Sequence, residues 1–149
     1  MARRKKPAHG VELVPGCPTI VFVTVCTQHR RPWLATEQNN ERLRAVWERA
    51  SAWRVGRYVL MPDHLHLFAA PGPREIPLEN WVRYWKSQFT KINADASQTW
   101  QSDHWDTRLR SGESYEEKWW YVRNNPVRAG IVTRVEEWPF QGELNVLEW

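Results

Sequence analysis

The chain has 149 residues, a formal net charge of +4, 42% hydrophobic residues and two cysteines. That length buries a core without disulfide or metal staples, and no stretch is apolar and long enough to cross a membrane. The small positive excess favours an anionic partner without demanding one.

Residues 1–17 begin with Arg3, Arg4, Lys5 and Lys6 and continue through prolines and glycines with no apolar period, which predicts a flexible basic arm. The charges are not followed by the apolar core of a secretory signal, so the expected setting is cytoplasmic. Cys17 and Cys26 lack metal-type spacing and read as reduced thiols, Cys26 as a small apolar filler. The continuous β-branched run at residues 19–26 predicts a buried strand. From Thr36, an N-cap residue type, Leu43, Val46, Trp47 and Ala50 recur at helical spacing to about residue 52. Residues 54–61 and 64–70 then read as two strands of a hairpin, with Pro62-Asp63 supplying the turn. After Pro77, suited to a first turn, Trp81, Tyr84, Trp85 and Phe89 mark a second helix over 78–93.

Residues 100–109 read as a further strand between polar turns, and Ser114 with Glu117 fits a capping box opening a third helix. Pro126 is expected to end that helix near Asn125. The order strand, helix, hairpin, helix, strand, helix predicts an α+β domain over residues 18–149. The expected form is a ferredoxin-like antiparallel sheet with helices packed mainly on one face. Eleven tryptophans serve either as core or as platforms for bases, and composition does not separate the two.

Alternation along residues 64–69 puts Leu65, Leu67 and Ala69 on one face and His64, His66 and Phe68 on the other. The leucine face is the core face, so the imidazoles look to the side left open. By strand rise they stand roughly 6.5–7 Å apart at the backbone, within reach of one divalent ion. Two half-exposed histidines bonded to water or backbone fit the same spacing, and a third ligand is needed to decide.

On the third helix, Tyr115, Trp119 and Val122 form an apolar stripe. Tyr121 falls about a third of a turn off it, beside Glu117, Lys118 and Asn125. Asn125 lies one turn on, so its amide oxygen and the phenol can address one point. An amphipathic tyrosine on the surface, with Asn125 merely ending the helix, fits equally. A phenol is a poor nucleophile at neutral pH unless its target is activated. A divalent ion held by neutral imidazoles and an amide oxygen would polarise a phosphodiester, which makes His64, His66, Asn125 and Tyr121 one site.

In order and spacing, "MPDHLHLF", "WVRYWKSQFTKIN" and "WQSDHWDTRLRSGESYEEKWWYVRNNPVRAGIV" resemble the REP-associated tyrosine transposases, relatives of the small insertion-sequence transposases that use HUH chemistry. The resemblance runs from about residue 20 to 138. It implies that His64 and His66 hold Mg²⁺ or Mn²⁺ with Asn125 completing the shell. Tyr121 would attack single-stranded DNA near a hairpin repeat, leaving a 5′-phosphotyrosine and a 3′-hydroxyl. It also implies the ferredoxin-like HUH core and a bacterial protein acting as a monomer, in cis, on single-stranded or hairpin DNA.

Arg83, Lys86 and Lys91 on the second helix read as phosphate contacts or as a solvated basic face, with Lys86 matching a family lysine. Arg123 and Arg128 are candidates for the scissile phosphate, and the amino-terminal arm for a further DNA contact. Two departures stand out: Asp106-Thr107 where the family is expected to have Asp-His, and a short tail after Trp138. The competing functions are a non-catalytic hairpin-binding module and a metal-dependent hydrolase that uses water. The latter would cut DNA without a covalent intermediate.

Overall fold

The computed structural model describes residues 19–110 and 112–148, so the predicted arm with Arg3, Arg4, Lys5 and Lys6 lies outside them. Five strands form one sheet: β1 (Val21–Thr27), β2 (Trp53–Met61), β3 (His64–Pro71), β4 (Trp100–Arg108) and β5 (Gln141–Glu143). Their spatial order is β4-β1-β3-β2-β5, with every pairing antiparallel. The helices are α1 (Glu37–Arg49), α2 (Leu78–Asn93), α3 (Gly112–Arg123) and the single turn α4 (Asn125–Arg128). No described helix is long and apolar enough to cross a membrane.

The expected α+β architecture is the one observed. α1 starts where Thr36 accepts a hydrogen bond from the Asn39 amide at 3.1 Å, satisfying an otherwise unpaired N–H of the first turn. Its Leu43, Val46 and Trp47 meet Trp81, Trp85 and Phe89 of α2 over the Val23, Val25, Leu65 and Leu67 side of the sheet. Five of the eleven tryptophans are consumed here: Trp47, Trp53, Trp81 and Trp85 are fully buried, and Trp100 packs edge-on to Trp85 and Phe89. Among the described tryptophans, Trp120 alone is largely exposed.

The opposite face is only partly open. α3 lays Tyr115, Trp119 and Val122 over Phe22, Val59 and Phe68, and the carboxy-terminal segment adds Trp138 and Leu147 to this second, smaller core. Phe68 has no exposed surface and packs against Tyr115 and Trp119. The tail adds β5 along the free edge of β2, an element that three residues without apolar period do not announce.

α3 departs from expectation at its start, while its end near Asn125 agrees. It starts at Gly112, which places Ser114 inside the first turn and not at the cap, so the predicted capping box is not the start signal. It stops at Arg123, because Pro126 has no N–H to give the Val122 carbonyl. The proline does not end helical structure, however. It sits in the first turn of α4, where a missing N–H costs nothing.

Candidate active site

The histidines stand at the start of β3, the central strand, and register fixes their neighbours. His66 lies between Thr24 of β1 and Val59 of β2, and His64 between Cys26 and Met61. The two rings are half-buried, with centroids 4.9 Å apart and planes at 76°. Each Nδ1 is held: that of His66 shares a hydrogen with Thr24 Oγ1 at 2.8 Å, and that of His64 lies 2.7 Å from Asp63 Oδ1. A carboxylate only accepts, so Nδ1 of His64 carries the proton and Nε2 the lone pair. The 3.4 Å approach of Arg30 Nη2 to the same Nδ1 is therefore a contact between two donors, not a second hydrogen bond.

Arg30 serves Asp63 instead, donating from Nε to Oδ2 at 3.0 Å. It does so from a tight turn in which His29 and Arg30 both have positive φ, 57° and 54°, a costly backbone for residues with side chains. Thr27 ties the Pro62-Asp63 turn to the end of β1: its amide donates to the Asp63 carbonyl at 3.0 Å, and its single hydroxyl proton lies between that carbonyl at 3.0 Å and the Arg31 carbonyl at 2.8 Å. Burial pushes the His64 imidazole below its ordinary range, against the opposing pull of the Asp63 hydrogen bond and charge. Burial alone would raise the Asp63 carboxyl, but the His64 and Arg30 hydrogen bonds hold it below the usual carboxylate range. The turn thus keeps an ionised carboxylate behind a neutral imidazole.

Tyr121 is 60% exposed on the polar flank of α3, off the buried stripe as the helical projection requires. A series of contacts joins it to the histidines. The His66 ring stacks on Phe22 at 5.1 Å and 22°, and the Lys118 ammonium stands 4.7 Å from the Phe22 centroid and 5.9 Å from that of Tyr121. The Tyr121 ring also carries the Arg128 guanidinium at 4.0 Å, and Arg128 donates to Asn125 Oδ1. His66, Tyr121, Asn125 and Arg128 therefore belong to one continuous surface.

The remaining predicted contacts lie elsewhere. Arg123 is 4.0 Å from Glu136. The aromatic stripe of α2 seats that helix on the leucine face, so Arg83, Lys86 and Lys91 sit across the sheet from the histidines. Arg83 pairs with Glu79 at 3.2 Å, Lys86 donates to the Gln101 carbonyl of β4 at 2.7 Å, and Lys91 is exposed in the last turn. Lys86 thus has a structural attachment that helical spacing does not show. Asp106, at the site of the sequence departure, bonds the buried His104 at 2.8 Å on the leucine side, while Thr107 pairs with Phe22 on the histidine side. Sequence reasoning missed Thr24, Arg30, Phe22 and the Asp63 carboxylate. Only Asp63, adjacent to His64, offered a local signal.

Among the described residues no three His, Cys, Asp or Glu side chains group to hold a metal, so a cation here needs another donor type beside the imidazoles. The pair itself suits an ion. Imidazoles sharing one cation at roughly 2.1 Å with a near-right angle between them have centroids about 4.5–5 Å apart, which matches the spacing observed.

Comparison with known proteins bears on the class. No protein-family model matches the chain. The solved structure of a REP-associated tyrosine transposase bound to a REP hairpin has a TM-score of 0.70 and 26% identity, over 95% of this chain and 81% of that one. A crystal structure of a candidate transposase from Deinococcus radiodurans shares the fold, with a TM-score of 0.50 and 13% identity over 76% of this chain and 97% of that one. Fold and similarity together define a protein of the tyrosine transposase type. The REP-associated tyrosine transposase of Escherichia coli (strain K12) is 30% identical over 122 residues, 80% of this chain and 73% of that protein. The chain belongs to the REP-associated tyrosine transposases.

Proposed function

We propose that the protein is a metal-dependent single-stranded DNA endonuclease and strand transferase that acts at or near hairpin repeats through a 5′-phosphotyrosine at Tyr121. The observation that carries this reading is the contact series from His66 through Phe22 and Lys118 to Tyr121 and Arg128, which links the tyrosine to the histidine pair on the same side of the sheet. A solved relative bound to a REP hairpin supports hairpin DNA as the partner.

His64, His66 and Asn125 would hold Mg²⁺ or Mn²⁺, a donor set of two imidazoles and an amide oxygen suited to these ions once water and phosphate complete it. Bound there, the ion would polarise the phosphodiester. The chain's own residues do the rest. Asp63 and Thr24 fix the imidazoles, burial keeps His64 neutral, and Tyr121 supplies the attacking oxygen. Arg128, on the face of the Tyr121 ring, would meet the phosphate. In this reading the histidines and Tyr121 of one chain act together, as a monomer in cis.

The test is a denaturing gel of protein with labelled single-stranded hairpin DNA and Mn²⁺. Wild type should form a covalent adduct and Tyr121→Phe, which lacks only the nucleophilic oxygen, should form none while still binding DNA. Cleavage that persists in Tyr121→Phe without an adduct would identify a hydrolase using water. DNA binding with no cleavage by wild type would identify a binding module. His64→Ala and His66→Ala should lose metal dependence and cleavage together.

A further inference from the structure

We propose that Lys118 is a catalytic residue of this site, its ammonium meeting the scissile phosphate between the histidine pair and Tyr121; the inference rests on the strand-transfer reading above. Lys118 is three residues before Tyr121, so it shares the same flank of α3 but leans toward the sheet. It is half-buried, and its Nζ stands over two rings at once, 4.7 Å from the Phe22 centroid and 5.9 Å from the Tyr121 centroid. Phe22 in turn stacks on His66. The ammonium therefore occupies the junction between the imidazoles and the phenol, where a phosphate attacked by Tyr121 would have to lie.

Its present partners are weak ones. A cation resting on ring faces where water has access gains less than a charge-assisted contact with phosphate offers. Among the described residues Lys118 has no carboxylate partner to give up. Arg128 rests against the Tyr121 ring as well, so two cations stand near the phenol.

In the step itself a lone pair of Tyr121 Oη forms the O–P bond while the P–O3′ bond breaks and its electron pair leaves on O3′. The phenol proton passes to water and O3′ takes a proton from water, giving a 5′-phosphotyrosine diester and a 3′-hydroxyl. The diester keeps its single negative charge across the step. In the transition state that charge spreads over the non-bridging and departing oxygens, where a preorganised ammonium stabilises it. Lys118 transfers no proton.

Lys118→Met keeps an unbranched chain over Phe22 and removes the charge. At saturating hairpin DNA and Mn²⁺, the rate of covalent adduct formation should fall by about 100-fold or more. Mn²⁺ affinity measured without DNA should be unchanged. Hairpin affinity measured without metal should show a salt slope smaller by about 0.7–0.9, the signature of one lost phosphate contact. Lys118→Arg should restore most of the rate. An adduct rate for Lys118→Met within about threefold of wild type, with an unchanged salt slope, would overturn the inference. So would a loss of rate matched by a loss of Mn²⁺ affinity. An adduct formed by Tyr121→Phe, or none formed by wild type, would strike at the reading of the site itself. In that case the salt slope still reports whether the ammonium meets phosphate.

Discussion

Removing the Asp63 carboxylate probes the histidine pair without touching a residue that would do chemistry. In Asp63→Ala the His64 Nδ1–H loses its 2.7 Å acceptor and Arg30 Nε its 3.0 Å one. The neutral ring is then no longer held to the tautomer that carries its lone pair on Nε2. Carboxylate partners of metal-binding histidines are typically worth 10–100-fold in metal affinity, about 1.4–2.8 kcal/mol. The fold should lose much less. The Asp63 and Arg30 side chains are 30% and 52% exposed, and an ion pair so screened contributes at most about 1 kcal/mol. The grip of Thr27 on the Asp63 carbonyl uses the backbone and survives the substitution.

Because the folded carboxyl is held below its ordinary range, its contribution is complete above about pH 4 and is lost only as pH falls through the folded value. At pH 7 the whole effect is therefore on view. Titration with Mn²⁺ by electron paramagnetic resonance, without DNA and beside a thermal melt, should show weakened binding with a nearly unchanged melt. Asp63→Asn, which keeps an acceptor oxygen, should fall between Asp63→Ala and wild type. Mn²⁺ affinity in Asp63→Ala equal to that of wild type would refute the reasoning.

Three further outcomes follow from the packing. Phe68→Ala should cost about 3–5 kcal/mol in a urea titration, since the ring is fully buried between Tyr115 and Trp119, and a loss below about 1 kcal/mol would mean that α3 is not seated there. Gly72→Ala should destabilise by about 1–3 kcal/mol, because a Cβ would come within 2.6 Å of the Ser51 carbonyl oxygen and 2.9 Å of that of Ala52, both backbone atoms, and a melting scan reads the loss. Burial raises the phenols of Tyr58 and Tyr115 above their ordinary value, against hydrogen bonds from Arg44 to Tyr58 and from the Arg57 amide to Tyr115. Their contribution is full below about pH 10 and fades as pH climbs toward the folded values, so urea midpoints should drop above about pH 10 and less steeply in Tyr58→Phe.

What the sequence disclosed follows its periodicities. The bounds of α2 at Leu78 and Asn93 agree with the helical spacing of its aromatics, and the hairpin of β2 and β3 falls around Pro62-Asp63. Alternation likewise separated the histidines from the leucines. Helical spacing does not tell which side of a sheet a helix will cover, so it does not show that the sheet separates Arg83, Lys86 and Lys91, expected as phosphate contacts or a solvated basic face, from the histidines. β5 and the second core were hidden because they depend on a three-residue strand and on Leu147, far along the chain from the β2 residues they cover.

The site also hangs on a register that local sequence does not display. β1 is buried along its whole length, so its composition barely distinguishes one face from the other, and only Thr24 breaks the apolar run on the histidine side. Pairing of Phe22 with Phe68, Thr24 with His66 and Cys26 with His64 settles the matter. A slip of one residue would carry Thr24 and Phe22 to the leucine face and set Val23 and Val25 beside the histidines. His66 would lose its hydroxyl partner, and Lys118 the ring on which it stands between the imidazoles and the phenol. The same register that fills the core with Val21, Val23 and Val25 therefore aligns the polar groups across the sheet. This explains how a chain can display its histidines and tyrosine plainly while the residues that connect them become visible only once the strands are paired.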